Sequence, residues 1–190
     1  RTQLSSLTHS HADYHPSARS FEYDADGCQL TDEVGRLLKY DELGSLCSVA
    51  VDASPLSPTL VEYTYNAMDE LQSSRSDKCA PRAFFYHEGV LVNQRQGLQN
   101  QSYLQHGTQA LAQTDGTEIS LLSTDQQGSI LHVVSPQGES RCAYTPYGSR
   151  PFDDGLNSLL GFNGELLDPH TGCYLLGNGY RAYNPILMRF

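Results

Sequence analysis

The chain has 190 residues and a formal net charge of −10, from 12 basic and 22 acidic side chains. An acidic surface repels phosphate groups, which argues against a nucleic-acid partner, and no apolar run approaches the roughly 20 residues of a membrane-spanning helix. The 12 tyrosines, 16 glycines and 9 prolines, with no tryptophan, favour short strands joined by many turns.

The cysteines are Cys28, Cys47, Cys79, Cys142 and Cys173, and they form no C-x-x-C pair. Zinc sites and disulfide frameworks require closer, paired spacing. We therefore expect these side chains to be mostly buried, small and apolar in character, in a reducing compartment.

Residues 1–20 are polar and have no clear period, which predicts an irregular lead-in or an isolated strand. From residue 21 onwards a D-x-x-G motif recurs. Aspartate at its first position caps a type I turn, and glycine at its fourth supplies the positive φ that closes the turn with a bulge. The predicted first and fourth residues are Asp24 and Gly27, Asp32 and Gly35, Asp41 and Gly44, and Asp125 and Gly128.

Turns at this spacing leave strands of about 4 to 6 residues, which predicts consecutive antiparallel hairpins. Strand alternation places Val61, Tyr63 and Tyr65 on one face, where we expect the tyrosines to pack the inside of the sheet. The turn that opens at Asn66 departs from the pattern, because Asp69 stands where glycine is expected.

Other hairpins follow along the chain. Residues 83–93 predict one with its turn at His87–Gly89, and residues 120–134 predict another around the D-x-x-G turn. Residues 51–60 contain two Ser-Pro pairs and predict a loop, whereas residues 103–112 fit either a strand or a short helix. No domain boundary is visible.

The last third of the chain contains the most specific motifs. Asn163-Gly164 and Asn178-Gly179 are favoured centres of two-residue hairpin turns. Proline after Asp168 fixes φ at the second position of a turn. The turn and signature positions singled out here are Pro146, Tyr147, Gly148, Gly161, Asn163, Gly164, Asp168, Pro169, Gly172, Gly177, Gly179, Arg181, Tyr183, Pro185, Arg189 and Phe190.

These motifs resemble YD-repeat proteins of the Rhs type. Residues 144–190 follow the order of the Rhs core signature: a Y-x-P-Y-G turn, a G-F-x-G-E element, a D-P-x-T-G-x-Y turn, a G-x-R-x-Y strand and an N-P-x-x-x-R-F end. The upstream aromatic–Asp–x–x–Gly units resemble the YD repeat itself. The resemblance therefore extends over about residues 21–190.

The resemblance implies an all-β fold, in which consecutive antiparallel hairpins form a ribbon that spirals into part of a YD-repeat shell. It divides one continuous unit into a lead-in (1–20), repeat hairpins (21–143) and a signature segment (144–190). In Rhs effectors and Tc-toxin C components, such a shell encloses or scaffolds a C-terminal effector. The implied partners are the remainder of the shell and a toxin effector, made in the bacterial cytoplasm and exported as one secreted toxin.

Two other functions remain open. YD-repeat shells also occur in adhesion proteins such as teneurins, which would make the chain a cell-surface or glycan-recognition module. The chain would otherwise belong to a self-cleaving aspartyl protease core, but the D-P-x-G motifs of that core are not among these 190 residues. We therefore expect no enzymatic activity, no catalytic residue and no cofactor. Unpaired sheet edges predict self-association.

Isolated ligand-binding patterns are weak. His9, His11 and His15, with Asp13, do not complete a metal shell, and the D-x-x-G aspartates occur one per turn, whereas calcium loops group several oxygens within a dozen residues. Gly177-x-Gly179-x-x-Ala182 lacks the following helix that a dinucleotide fingerprint needs. We therefore expect no metal site.

Overall fold

The structure is a computed structural model that describes residues 3–8, 10, 18–52, 54, 56–107, 109–151 and 155–190. The regular elements of this part of the chain are strands and one short 3₁₀ turn, which confirms the all-β prediction. No helix in the described ranges is long and apolar enough to cross a membrane. The histidine cluster of His9, His11 and His15, with Asp13, lies outside the described residues.

The N-terminal region contains two short strands, β1 (Ser6–Thr8) and β2 (Ala18–Ser20), that pair antiparallel with each other. Both strands lie in the segment 1–20 for which the sequence predicts an irregular lead-in or an isolated strand. Three-residue strands are too short to show a period of two, which explains why the sequence pattern did not reveal them.

The large sheet has 11 antiparallel strands, and each pairs with its neighbour in sequence. Such a meander needs only short reversals, which the turn motifs supply. Its strands are β3 (Leu37–Tyr40), β4 (Leu46–Ala50), β5 (Thr59–Tyr65), β6 (Leu71–Ser76), β7 (Cys79–His87), β8 (Val90–Gln96), β9 (Gln99–His106), β10 (Gln109–Thr114), β11 (Ile119–Thr124), β12 (Ile130–Ser135) and β13 (Gly138–Arg141).

The predicted hairpin at residues 83–93 is present as β7 and β8. His87 pairs with Val90, and the two residues between them have positive φ, 50° at Glu88 and 74° at Gly89. Positive φ at both central positions is the requirement of a type I′ turn. Residues 103–106 and 109–112 lie in β9 and β10, so the strand alternative holds for them.

The hairpin ladder continues beyond β3 towards the N terminus. Leu38 donates its backbone N–H to the carbonyl of Leu30 at 2.9 Å, and Leu30 donates to Glu22 at 2.8 Å. Phe21 then donates to Ser5 at 3.1 Å, next to β1. The described residues from β1 to β13 thus form one hydrogen-bonded ribbon.

The large sheet has one covered face and one open face. On the covered face, Val49 and Val61 lie opposite each other on β4 and β5 and are fully buried. On the open face, Leu104, Ala112, Leu121 and Val134 lie side by side across β9 to β12. Leu104 is 62% exposed and Leu121 is 60% exposed, so this apolar row faces solvent.

The signature segment lies on the covered face. It contains the 3₁₀ turn Phe162–Gly164 and a small sheet of β14 (Leu166–Leu167), β15 (Tyr174–Leu176) and β16 (Arg181–Tyr183). Leu160, Leu166 and Leu175 join the same hydrophobic cluster as Val61 and Leu122 of the large sheet. One core therefore lies between the ribbon and the signature segment.

Candidate functional site

The D-x-x-G turns share one hydrogen-bond pattern. Oδ1 of the aspartate accepts the backbone N–H groups two and four positions later, at 2.8–3.1 Å. The glycine at the fourth position has φ between 82° and 93° and donates to the aspartate carbonyl. This geometry is found at Asp24 and Gly27, Asp32 and Gly35, Asp41 and Gly44, and Asp125 and Gly128.

Two further turns have the same form with different residues. Oδ1 of Asn66 accepts from Met68 at 2.8 Å and from Glu70 at 3.0 Å, and Asp69 takes the glycine position with φ 59°. Asparagine and aspartate tolerate this left-handed conformation better than most residues. The departure at Asp69 therefore leaves the turn intact.

The Y-x-P-Y-G turn is another member of this class. Thr145 takes the aspartate position, and its Oγ1 accepts the N–H of Ser149 at 3.1 Å. Gly148 has φ 82° and donates to the carbonyl of Thr145 at 2.9 Å, with Pro146 and Tyr147 between them. In the sequence, this turn shares with the D-x-x-G turns an acceptor side chain, Thr145, three residues before a glycine, Gly148.

The bulges next to two of these turns hold the signature segment. The strand register shifts between Leu71 and Ser73 in the β5–β6 hairpin and between Ile130 and His132 in the β11–β12 hairpin. Leu71 donates its backbone N–H to the carbonyl of Asn178 at 2.6 Å, and Ile130 donates to Gly161 at 3.1 Å. Residues that follow a turn thus bind backbone of the segment that covers the sheet.

Asn178 and Gly179 form a type I′ turn, with φ of 56° and 99°. This turn packs against β6. A Cβ atom on Gly179 would lie 2.6 Å from Cβ of Leu71, so glycine is required by space as well as by φ. Nδ2 of Asn178 donates to the carbonyl of Gly89 at 2.9 Å, and the Tyr65 hydroxyl donates to the Gly179 carbonyl at 3.3 Å. We call the contact between the ribbon and the signature segment (144–190) the seam, and this turn is one of the points that hold it together.

The loop that opens at Asp168-Pro169 is anchored by a buried carboxylate. Oδ2 of Asp168 accepts from the Tyr63 hydroxyl at 2.6 Å, from the Thr171 N–H at 3.0 Å and from the Thr171 hydroxyl at 2.5 Å. Burial and the neighbouring carboxylate raise the pKa of Tyr63 well above its ordinary value. Gly172 closes the loop with φ 75°. The carboxylate of Asp168 thus accepts hydrogen bonds from Tyr63 of the ribbon and from Thr171 of its own loop.

Arg36 joins this loop to a D-x-x-G turn. Its Nε donates to Oδ2 of Asp32, which is 4% exposed. The two remaining guanidinium nitrogens donate to the carbonyls of His170 at 2.6 Å and Thr171 at 2.9 Å. The rigid fork of arginine fits this divergent set of acceptors. A largely buried ion pair therefore holds residues 170–171 on the ribbon.

The N-P turn near the end of the chain is fastened in a similar way. Oδ1 of Asn184 caps the N–H of Ile186 at 2.9 Å across Pro185, while its Nδ2 donates to Oε2 of Glu33 at 2.6 Å. The backbone N–H of Asn184 donates to the Arg189 carbonyl at 2.8 Å. Burial raises the pKa of Glu33.

Aromatic contacts complete the end of the signature segment. The rings of Tyr183 and Phe190 lie 5.3 Å apart between centroids. The Arg181 guanidinium lies 5.6 Å from the centroid of Tyr180 and 5.9 Å from that of Phe190, within cation–π distance. These contacts stabilise the last turn of the signature segment.

The G-F-x-G-E element is packed by rings. Asn163 and Gly164 have φ of 55° and 73°, as a type I′ turn requires, and the Asn163 N–H donates to Oγ of Ser129 at 3.0 Å. A Cβ atom on Gly148 would lie 2.6 Å from Cδ1 of Phe162, and one on Gly161 would lie 2.8 Å from Cε1 of Tyr174. The glycines of both motifs thus make room for rings.

The cysteines are less buried than expected. No disulfide joins any two of the five: Cys142 is buried, Cys79 is exposed, and Cys28, Cys47 and Cys173 are half-buried. Cys79 stands at the start of β7, beside the Asp77–Lys78 reversal and away from the covered face. Among the described residues no group of three or more His, Cys, Asp or Glu side chains could hold a metal ion.

Sequence reasoning missed several residues of the seam. Tyr63 was assigned to the covered face, but its partner Asp168 was not identified, and Glu33 and Arg36 carried no assignment. Arg36 directly follows a D-x-x-G turn, which is the one local feature that separates it from other arginines. The backbone N–H groups of Leu71 and Ile130 also bind the signature segment, and nothing in the side chains at these positions predicts that.

The teneurin YD-shell family matches residues 13–190. The chain belongs to this family. The YD-repeat resemblance seen in the sequence is thereby confirmed, and so is the open antiparallel ribbon expected of a YD shell. A YD-shell chain has a structural role as part of a shell wall.

Solved structures of Tc toxin assemblies share the fold. The chain is similar to a crystal structure of TcdB2-TccC3 (17% identity, TM-score 0.61), to TcdB2-TccC3-Cdc42 (16%, 0.65) and to a Photorhabdus luminescens Tc holotoxin pore (17%, 0.62). Each match covers 86% of this chain and 9% of the other chain. At this identity the likeness shows the fold alone. No curated protein matches the YD-shell chain.

Proposed function

We propose that this chain is wall of a YD shell that encloses a C-terminal effector polypeptide. The observation that carries the proposal is the use of the signature residues. Asp168, Asn178 and Gly161 all bind the ribbon across the seam. A segment whose signature residues bind it to the ribbon is suited to closing the wall of a shell.

Two surfaces of the described chain support a second part of the proposal, contact with the remainder of the shell. Strand β13 ends the large sheet in the described chain and is bordered there by one strand only, β12. The apolar row of Leu104, Ala112, Leu121 and Val134 lies on the open face. Unpaired edges and exposed apolar rows are typical of surfaces that receive further protein.

The enclosed partner is proposed to be a toxin effector, made in the bacterial cytoplasm and exported with the shell. This part is supported by the similarity of the fold to Tc toxin assemblies. We propose no catalytic role for the chain. In a protein that combines this chain with an effector, the effector should resist added protease while the seam is intact.

The experiment that tests enclosure uses two variants of that longer protein. Gly179→Ala forces a side chain into Leu71, whereas Gly177→Ala introduces the same atom where the nearest neighbour, Cβ of Tyr180, lies 3.8 Å away. We expect protease to reach the effector in the first variant and much less in the second. Equal cleavage of the effector in all forms would contradict enclosure, and equal protection in all forms would contradict the role of the Gly179 turn in closing the shell.

Cell-surface or glycan recognition is the competing function. It would be supported by binding of the isolated 190-residue chain to glycans or a receptor, with no association with an effector. For the shell-wall function we expect self-association of the isolated chain through β13. A clean monomer in size-exclusion chromatography at high concentration would count against it.

A further inference from the structure

A small pocket opens at the seam beside the Asn178-Gly179 turn. Its volume is about 170 Å³, smaller than the about 300–1,000 Å³ of sites for drug-sized ligands, so it fits a group of only a few heavy atoms. Strands β7 to β9 line one side, and the G-F-x-G-E element and β15 line the other. Three of its lining residues are glycines, at positions 89, 107 and 164, which have no side chain that could fill it.

One wall of the pocket is apolar. It consists of Leu91, Leu160, Leu166 and Leu175, which are each no more than 8% exposed and belong to the hydrophobic core. A wall of leucine side chains favours contact with the methylene groups of a ligand.

The Glu165 carboxylate also lines this pocket. Within the described part of the chain it accepts no hydrogen bond, and burial raises its pKa to about 7. Unlike the sealed carbonyl oxygens of Gln94 and Gln113, the oxygens of Glu165 keep contact with solvent. A ligand in the pocket can therefore reach a carboxylate that is largely buried and lacks a donor.

Two more acceptors line the same pocket. Nε2 of Gln105 donates to the Leu91 carbonyl at 2.7 Å, which leaves Oε1 of Gln105 as an acceptor. The Tyr86 hydroxyl has no partner among the described residues, and burial together with the Glu70 carboxylate raises its pKa. No lysine, arginine or histidine is among the described residues that line the pocket. The pocket therefore favours a cation with several N–H donors.

We propose that this pocket binds a primary alkylammonium group. Its three N–H donors match the acceptors on Glu165, Tyr86 and Gln105, and its alkyl stem would lie against the leucine wall. A free amine and the side chain of a lysine carry the same group. The inference does not rest on the shell-wall function, because every residue of the pocket belongs to this chain.

Other ligand classes fit less well. An anion would meet the Glu165 carboxylate with no cation beside it. The described residues contain no group of three or more His, Cys, Asp or Glu side chains that could hold a metal ion. The hydroxyl groups of a sugar would lose their hydrogen bonds against the leucine wall.

Binding should depend on pH, because the ammonium group pairs with the ionised form of Glu165. As the pH falls from about 8 to about 5, through the raised pKa, the affinity should fall by up to about a hundredfold. Other titratable groups beside the pocket are Tyr86, Glu70, and the exposed His87 and His106, which follow lining residues on β7 and β9. A variant with both His87→Gln and His106→Gln should keep the pH dependence, whereas Glu165→Gln should lose it.

The test titrates the ¹³C-labelled 190-residue chain with n-butylammonium chloride near pH 8. The methyl signals of Leu160 and Leu175 are followed by NMR in every variant. We expect saturable shifts with n-butylammonium, and neither n-butanol, which lacks the charge, nor tetramethylammonium, which lacks N–H donors, should match them. Glu165→Gln should weaken binding by about tenfold or more, since it removes a charge-assisted hydrogen bond.

The peptide acetyl-Gly-Lys-Gly-amide distinguishes the two sources of the group. Shifts from the peptide as well as from n-butylammonium would indicate a lysine side chain of a protein partner. Shifts from n-butylammonium alone would indicate a small free amine. Either result supports the proposal.

Glu88→Gln is the matched control, since Glu88 is exposed and directly precedes Gly89 of the pocket. It removes the same charge nearby and should leave binding unchanged. Equal weakening by both variants, or equal shifts with tetramethylammonium, would overturn the proposal in favour of a general attraction of cations to an acidic chain. No saturable shift with n-butylammonium would show that the pocket holds water only.

Discussion

The Tyr63 hydroxyl donates a 2.6 Å hydrogen bond to Oδ2 of Asp168, which lies 105 positions further along the chain. Tyr63 is 5% exposed and Asp168 is 3% exposed, so the bond forms in the interior between ribbon and signature segment. A carboxylate at this depth depends on its donors, because an unpaired buried charge is strongly unfavourable. The pair therefore marks where closure of the seam is most sensitive to substitution.

Tyr63→Phe should destabilise the protein by about 1–3 kcal/mol, because Asp168 loses one donor and keeps its burial. The measurement is the free energy of unfolding in urea. Tyr183→Phe is the control, since the Tyr183 hydroxyl donates to the exposed carbonyl of Tyr147 at 3.2 Å. Equal losses of unfolding free energy in the two variants would contradict a larger contribution from the buried hydrogen bond.

Gly179→Ala should cost more than Gly177→Ala. Both positions have positive φ, of 99° and 59°, so each substitution carries about 1–2 kcal/mol of backbone strain. Gly179→Ala also places Cβ 2.6 Å from Cβ of Leu71, and such overpacking adds about 1–3 kcal/mol. Thermal unfolding of the two variants side by side measures the difference. Matching midpoints would mean that the turn moves freely on β6.

Arg36→Ala should be among the most damaging single substitutions. It leaves Asp32 buried without its cation and frees the carbonyls of His170 and Thr171, an effect of about 3–5 kcal/mol for a broken buried pair. Arg75→Ala, on the exposed side of β6, should change stability by no more than about 0.5 kcal/mol. Denaturant midpoints distinguish the two, and a small effect at Arg36 would refute the assigned anchor.

The free energy of unfolding should depend on the ionisation of Glu165, the last residue of the G-F-x-G-E element. Burial raises the pKa of Glu165 from its ordinary value of 4.5 to about 7. The folded state thus binds this proton more tightly than the unfolded state. The resulting contribution to stability is fully present below pH 4.5 and is lost as the pH rises through about 7.

The Glu165→Gln variant removes that dependence, because the amide stays neutral. Relative to the unaltered chain, its melting temperature should rise as the pH is raised from about 5 to about 8. Glu62→Gln, at an exposed position of β5, is the control and should track the unaltered chain. A constant difference across the pH range would contradict the assignment.

Cys79 and Cys173 should react with a thiol reagent at very different rates. Cys79 is exposed, whereas burial raises the pKa of the Cys173 thiol to about 12 and suppresses the reactive thiolate. With a thiol reagent near pH 8, we expect a fast phase that Cys79→Ser abolishes and a reaction of Cys173 that requires unfolding. Fast labelling of Cys173 in the folded chain would contradict the burial of its thiol between the signature segment and the ribbon.

Local turn chemistry could be predicted because its causes lie within five consecutive residues. An aspartate such as Asp125 can reach the N–H groups two and four positions on, and Gly128 meets the required φ without strain. The alternation of Val61 and Tyr63 likewise placed them on the covered face. Even Asp69, which departs from the motif, keeps the turn geometry because the backbone demand is local.

The sequence alone therefore determined the all-β class, the hairpin order and the family of this chain. Tertiary structure decided which turns hold the signature segment and which side chains meet across the seam. Tyr63 and Asp168 are 105 positions apart, and nothing local to either residue encodes the other. The core depends in the same way on strand register, since a one-residue slip would move Val61 from the covered face to the open face.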